Sequence, residues 1–124
     1  MTTFTVTSLN DSGPGSLRAA IAGANASAAP AVLDFAVHGT ITLASDLPAI
    51  SNNVKIDATT APSYAAGGPP VVELDCNSHA GLVFAAGSQG SQLLGLAVCN
   101  AGGNGVTLNA GSITLNHNYI GLNL

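Results

Sequence analysis

The side chains able to do chemistry in this chain are few, and most are carboxylates. Asp57, Glu73 and Asp75 fall in one stretch, with Lys55 two places ahead of the first. Clustered carboxylates and water can offer Ca²⁺ the ~6–8 oxygens it takes. Asp57 and Asp75, if opposed at ~5–9.5 Å, would suit glycoside hydrolysis. Both chemistries ask for more than the acids. A Lys or Arg acting as proton-abstracting base would have to be Lys55, since Arg18, the one other such residue, belongs to the start of the chain. Sugar clefts use aromatic platforms, and the chain has no Trp, two Tyr and three Phe, of which Phe35 and Phe84 fall in alternating apolar runs. A solvated acidic face accounts for the trio with fewer assumptions. No catalytic, cofactor-binding or metal-binding residue is therefore assigned.

His38, His79 and His117 are far apart in sequence and read as surface or corner residues rather than a metal trio. Cys76 and Cys99 each open a Cys-Asn pair. At one corner of neighbouring coils, stacked ~4.8 Å apart, they would come within the ~4.4–6.8 Å that a disulfide accepts. A bridge and two separate thiols both remain open. The chain has no Gly-x-Ser-x-Gly elbow and no phosphate loop. Gly102-Gly103-Asn104-Gly105 reads as a corner that needs positive φ. Alternating threonines, Thr3, Thr5 and Thr7, then Thr40 and Thr42, do not recur at the coil period, which argues against an ice-binding face.

A repeat must position these residues. Val71, Leu93 and Leu115 stand 22 apart, as do Leu74, Leu96 and Asn118, and Cys76, Val98 and Ile120. Such spacing marks a solenoid whose units cannot bury their apolar faces alone. Within it the apolar period is two: Leu33, Phe35, Val37; Ile41, Leu43; Val54, Ile56; Val72, Leu74; Leu82, Phe84; Leu94, Leu96, Val98; Val106, Leu108; Ile113, Leu115. These are short strands bounded by turn residues. Stacking Ile56 on Leu74 would gather the acidic trio on one face. Gly81–Ser88 aligns with Gly105–Ser112, and Asn118 reads as a corner Asn whose amide bonds along the stack. Residues 59–70, TTAPSYAAGGPP, read as a loop leaving the wall.

The start differs. Phe4-Thr5-Val6-Thr7 reads as a strand, and residues 10–15 as a turn cluster. From Ser16, a good N-cap, Leu17, Ala20, Ile21 and Ala24 fall on one helical face as far as Ala26. This helix has the size and polarity to cover the first coil. Arg18 is placed to pair with Asp11 or Asp34.

Composition removes some functions. The net charge is −4 with two basic residues, so no basic stripe exists for nucleic acid and no polybasic patch for a membrane. No apolar run reaches the ~20 residues of a spanning helix. The first ten residues, MTTFTVTSLN, lack the basic and apolar regions of a signal peptide.

Phe4–Thr7 followed by Asn10–Ile21 resembles the start of bacterial secreted right-handed β-helix proteins. It is similar to the CSLREA segment, with Asn10–Gly15 in place of the cysteine that names it. Val54–Thr60, Val72–Asp75, Leu94–Val98 and Asn118–Gly121 resemble repeats of the pectate-lyase-like superfamily. The resemblance implies a secreted or surface-attached protein with a structural or adhesive role. Lyases of that superfamily hold Ca²⁺ on clustered carboxylates, so a Ca²⁺-assisted polysaccharide-active enzyme or its remnant is the alternative.

The expected architecture is all-β: a right-handed parallel β-helix of about four coils with an N-terminal strand and a short capping helix. Residues 1–30 form the cap. Residues 31–124 form the coils, with the loop at 59–70 and no cap at the far end. The last coil, Val106–Leu124, is expected to pair with a second copy. A carbohydrate or other surface ligand is the other expected partner; no nucleic acid, membrane insertion or cofactor is expected. The parent protein is expected outside the cell or on its surface.

Overall fold

The computed structural model describes residues 2–28 and 30–121. Met1, Ala29 and Leu122–Leu124, which belong to the expected cap and last coil, lie outside the described residues. The first unit is β1 (Thr2–Val6), α1 (Leu17–Ala26) and β2 (Ala31–Phe35), with β1 and β2 parallel and Phe4 beside Leu33. Ser16 caps α1 as its spacing predicts: its Oγ accepts from the Ala19 N–H at 3.1 Å, satisfying one donor that a helix start leaves orphaned. Leu17, Ala20, Ile21 and Ala24 are the buried face. Gly23 lets the Phe4 ring lie against α1, because a Cβ there would meet that ring at 2.6 Å.

The strands that follow are β3 (Gly39–Thr42), β4 (Val54–Asp57), β5 (Val72–Asp75), β6 (Leu82–Phe84), β7 (Gln92–Leu94), β8 (Leu96–Cys99), β9 (Val106–Leu108), β10 (Thr114–Asn116) and β11 (Tyr119–Ile120). They form three sheets. The first runs β1-β2-β4-β7-β10, the second β3-β5-β8-β11, and the third is β6-β9, which Ile50 joins by a bridge to Phe84. Every strand pairing among the described residues is parallel. The chain visits first, second and third sheet in turn and then returns to the first. The fold is thus predominantly β, in parallel sheets, with one short α-helix among the described residues.

Inward side chains make three rows. Phe4, Leu33, Ile56, Leu93 and Leu115 stand side by side in the first sheet. Ile41, Leu74, Val98 and Ile120 do so in the second. Ile50, Phe84 and Leu108 do so in the third. The middle members are 0–1% exposed, and each large one contributes ~1.5–3 kcal/mol by burial.

The rows correct the 22-residue register. Ile56, not Val71, stands beside Leu93; Leu74, not Cys76, stands beside Val98; and Leu96 stands beside Val72 rather than Leu74. For Leu93 the cause is the 59–70 insertion, which lies between β4 and β5. It opens with a 3-10 turn, Ala58–Thr60, and delays the chain before the second sheet. From β5 to β8 and from β6 to β9 the spacing is 24; it is 22 for Leu93 with Leu115 and Val98 with Ile120, because the link from β9 to β10 is two residues shorter than that from β6 to β7. Gly81–Ser88 and Gly105–Ser112 align as expected, with Leu82 beside Val106 and Phe84 beside Leu108.

Leu94, Leu96 and Val98 are not one alternating strand. Gly95, at φ 70°, turns a corner between β7 and β8, so Leu93 and Leu96 are buried while Leu94 is half-buried. Asn118 braces that corner from the next rung. Its Nδ2 donates to Leu93 O at 2.7 Å, and its Oδ1 accepts from Leu96 N at 2.9 Å. The corner at 102–105 does not use positive φ on its glycines. That conformation falls on Asn100 (φ 55°). Gly102 is required by space instead, because a Cβ would collide with Ser78 O.

Candidate functional site

The acidic trio does not gather. Asp57 lies on the first sheet beside Asp34, whereas Glu73 and Asp75 lie on the second beside Thr40 and Thr42. The premise for gathering them fails, because Ile56 and Leu74 belong to different rows. Asp57 and Asp75 therefore do not face each other as an acid pair. Each carboxylate has a local task. Asp57 accepts from Thr59 N at 3.0 Å and from the Thr59 hydroxyl, capping the 3-10 turn, and Lys55 Nζ is 3.8 Å away. Asp75 accepts from Asn77 N at 2.9 Å and Asn100 Nδ2 at 3.2 Å. Glu73 accepts from Thr40 Oγ1 at 3.2 Å. Asp34 Oδ1 is buried without a hydrogen-bond partner.

The histidines are dispersed. His38 and His117 are exposed, and His117 holds a corner at φ 57°. His79 Nδ1 is 3.7 Å from Asp46 Oδ1. Among the described residues no group of three His, Cys, Asp or Glu is placed to hold a metal ion.

The two Cys-Asn pairs do meet at one corner of adjacent rungs, where Cys76 N donates to Cys99 O at 2.9 Å. Both are free, buried thiols. They lie on opposite faces of the wall. Cys76 belongs to the apolar core, while Cys99 follows the inward Val98 and so points outward, where it hydrogen-bonds Glu73. Opposed Cβ vectors do not close a disulfide without backbone movement. Burial pushes the Cys76 thiol up to about 11, helped by Cys99 and Asp75. Burial, then the charges of Glu73 and Asp75, raises Cys99. Thiolate is the reactive form, so both should be inert near neutrality. In native protein neither should react with an aromatic disulfide reagent while unfolded protein titrates both; a Cys76–Cys99 bridge in a peptide map would refute this placement.

Sequence reasoning left Arg18 with two partners, and the structure selects Asp11. The guanidinium donates to Asp11 Oδ1 at 2.9 Å and Asp11 O at 3.2 Å. It also reaches Ser45 O at 3.0 Å and Asp46 O at 2.6 Å. Asp11 Oδ1 accepts from Ala44 N at 3.0 Å. This clamp ties α1 and the 10–15 turn to the segment after β3. The Ala44 N–H, then the Arg18 hydrogen bond, holds the Asp11 carboxyl below its ordinary 3.8. A depressed acid stabilises the fold above its unfolded-state pKa, and that contribution is lost as pH falls through the folded value. Asp11→Asn should therefore lower the melting temperature at pH 7, with the gap to wild type closing below about pH 4. A gap that is constant from pH 7 to pH 2 would show the charge to be irrelevant.

Two surface features lie at the ends of the stack: the last coil, from which pairing with a second copy is expected, and a cavity at the first unit that the sequence does not signal. The exposed large apolar side chains among the described residues are Leu108 (45%), Leu115 (41%), Tyr119 (38%) and Ile120 (41%), all on the final rung. At the opposite end a cavity of about 290 Å³ lies between β1 and the start of α1, lined by Thr3, Phe4, Thr5, Ser16, Ala19 and Ala20 among others. No helix of the described residues is long and apolar enough to cross a membrane. No protein-family model matches the chain, and no curated protein matches it.

Proposed function

We propose that the chain is a non-catalytic segment of a right-handed parallel β-helix, structural or adhesive in role, from a bacterial secreted or surface protein, and that it associates with itself through its last rung. The observation that carries this reading is the ending of all three apolar rows in exposed side chains, Leu115, Ile120 and Leu108. Such an apolar patch is a normal mark of an interaction surface. The β1–α1–β2 connection supports right-handedness, since crossovers between parallel neighbours take that hand in ~98% of cases. The carboxylates favour a structural role, because Asp57 and Asp75 brace turns and Glu73 binds the neighbouring rung. The secreted setting rests on the resemblance of the first 21 residues and the coil motifs.

Light scattering across a concentration series should show mass rising above the monomer. A monomer at every concentration would sink the self-association. Cleavage of a polysaccharide panel that disappears in Asp75→Ala would overturn the non-catalytic reading in favour of the enzyme. Calorimetry showing no heat with Ca²⁺ or acidic glycans would leave the structural role standing.

A further inference from the structure

The two ends of the first sheet are complementary edges. In a strand, the N–H and C=O of one residue point to the same side. The Thr2 N–H bonds Pro30 O, and Val6 O accepts from Ala36 N. Thr2, Phe4 and Val6 thus turn their main chains toward β2, and Thr3 and Thr5 turn theirs to the unpaired edge. At the other end, Thr114 N bonds Ser91 O and Asn116 O accepts from Gly95 N. Those two face β7, and Leu115 turns its N–H and C=O away. A parallel pairing opposite Phe4 needs a residue whose N–H reaches Thr3 O and whose C=O reaches Thr5 N–H. Leu115 in a second copy is such a residue. It would also continue the inward row of Phe4, Leu33, Ile56 and Leu93.

The surroundings fit. The cavity of about 290 Å³ opens beside Thr3, Phe4 and Thr5, against Gly15, Ser16, Ala19 and Ala20. The solvent side of α1 presents exposed Ala19, Ala22 and Ala26, small apolar groups against which Leu108 and Ile120 can pack. Charge does not oppose the contact. No Asp, Glu, Lys or Arg occurs after Asp75, so β9, β10 and β11 carry none of these charged side chains to desolvate. None of the residues lining the cavity is charged. Arg18, on α1, is held by Asp11, Ser45 and Asp46.

We propose that copies of this chain stack head to tail, with β10 of one copy pairing in parallel with β1 of the next and Leu115 seated opposite Phe4. This rests on the self-association proposed above and adds its partner surface and polarity. A contact between two different patches makes a ring if its rotation closes and a filament if it does not; stacked along the row of rungs, this one propagates as a filament. A two-fold pairing of last rungs would stop at a dimer and leave the β1 edge bare.

The experiment uses two variants, each blocking one end. Thr5→Pro removes an edge N–H that is unused within the copy, the position where an edge strand tolerates proline. Leu115→Lys charges the other end. Ala19→Glu, on exposed helix surface, replaces Thr5→Pro if that variant fails a thermal-melt control. By analytical ultracentrifugation, wild type should show species beyond the dimer. Each variant alone should associate about 100-fold more weakly. An equimolar mixture should form a heterodimer and stop there, since each variant keeps one good end. Wild type that associates while Thr5→Pro and Ala19→Glu dimerise normally would overturn the head-to-tail contact and leave self-association intact. Wild type that stays monomeric would overturn both.

Discussion

Gly81→Ala should destabilise the protein by about 3 kcal/mol or more, a melting shift on the order of 10 °C. The reason is space. A Cβ at Gly81 would fall inside the van der Waals envelope of Gly105 O, with the Gly105 carbonyl carbon and Cα close behind. Gly105 O cannot retreat freely, because it accepts from Leu82 N at 3.0 Å and holds β6 to β9 in register. Backbone thus meets backbone on adjacent rungs, and no rotamer can relieve it. Gly103 supplies the control. It has nothing within 4 Å and no positive φ, so Gly103→Ala should change stability by less than about 0.5 kcal/mol. Equal melting temperatures for Gly81→Ala and wild type would mean that the two rungs are not stacked as described.

The second expected result tests the register itself. Leu93→Ala should cost about 2–5 kcal/mol and Ile56→Val about 0.5–1.5 kcal/mol. In a double-mutant cycle the pair should be non-additive by at least about 0.5 kcal/mol, because the side chains stand in contact. Val71→Ala with Leu93→Ala should add to within about 0.5 kcal/mol, since Val71 lies before β5 and its carbonyl accepts from Gly39 N in the second sheet. Denaturant titration of the single and double variants reads this directly. Coupling that follows the 22-residue spacing, Val71 with Leu93, would refute the observed row.

That cycle also marks where the sequence ceases to be legible. Period-two alternation located β2, β4, β5 and β6, because each has one face in the core and one outside. The helix was legible from a single cap and four apolar positions, Ser16 with Leu17, Ala20, Ile21 and Ala24. Both signals are local. Rows between rungs are not local, and a fixed spacing predicts them only where corners keep constant length. The 59–70 insertion breaks that condition between β4 and β5, so Val71 was placed where Ile56 stands. The acidic trio failed for the same reason, since a slip in phase moved Asp57 to another sheet. Gly95 escaped notice because one positive-φ residue inside an apolar run looks like an interruption rather than a corner. Cys76 and Cys99 were legible as neighbours at a corner. Their opposite facing was not, because the 23-residue separation falls one place outside the repeat.

The want of ions after Asp75 also bears on how the chain reaches its native state. Natural sequences flank unavoidable apolar strands with charged gatekeepers that keep unfolded chains apart. From Cys76 to Leu124 there are none, so in an unfolded molecule Leu93–Val98 can zip against its own copy in another chain. The earlier rungs, which carry every side-chain carboxylate, are better guarded against such pairing than the neutral half. Refolding yield should fall steeply with chain concentration, more so for variants that weaken the Arg18 clamp.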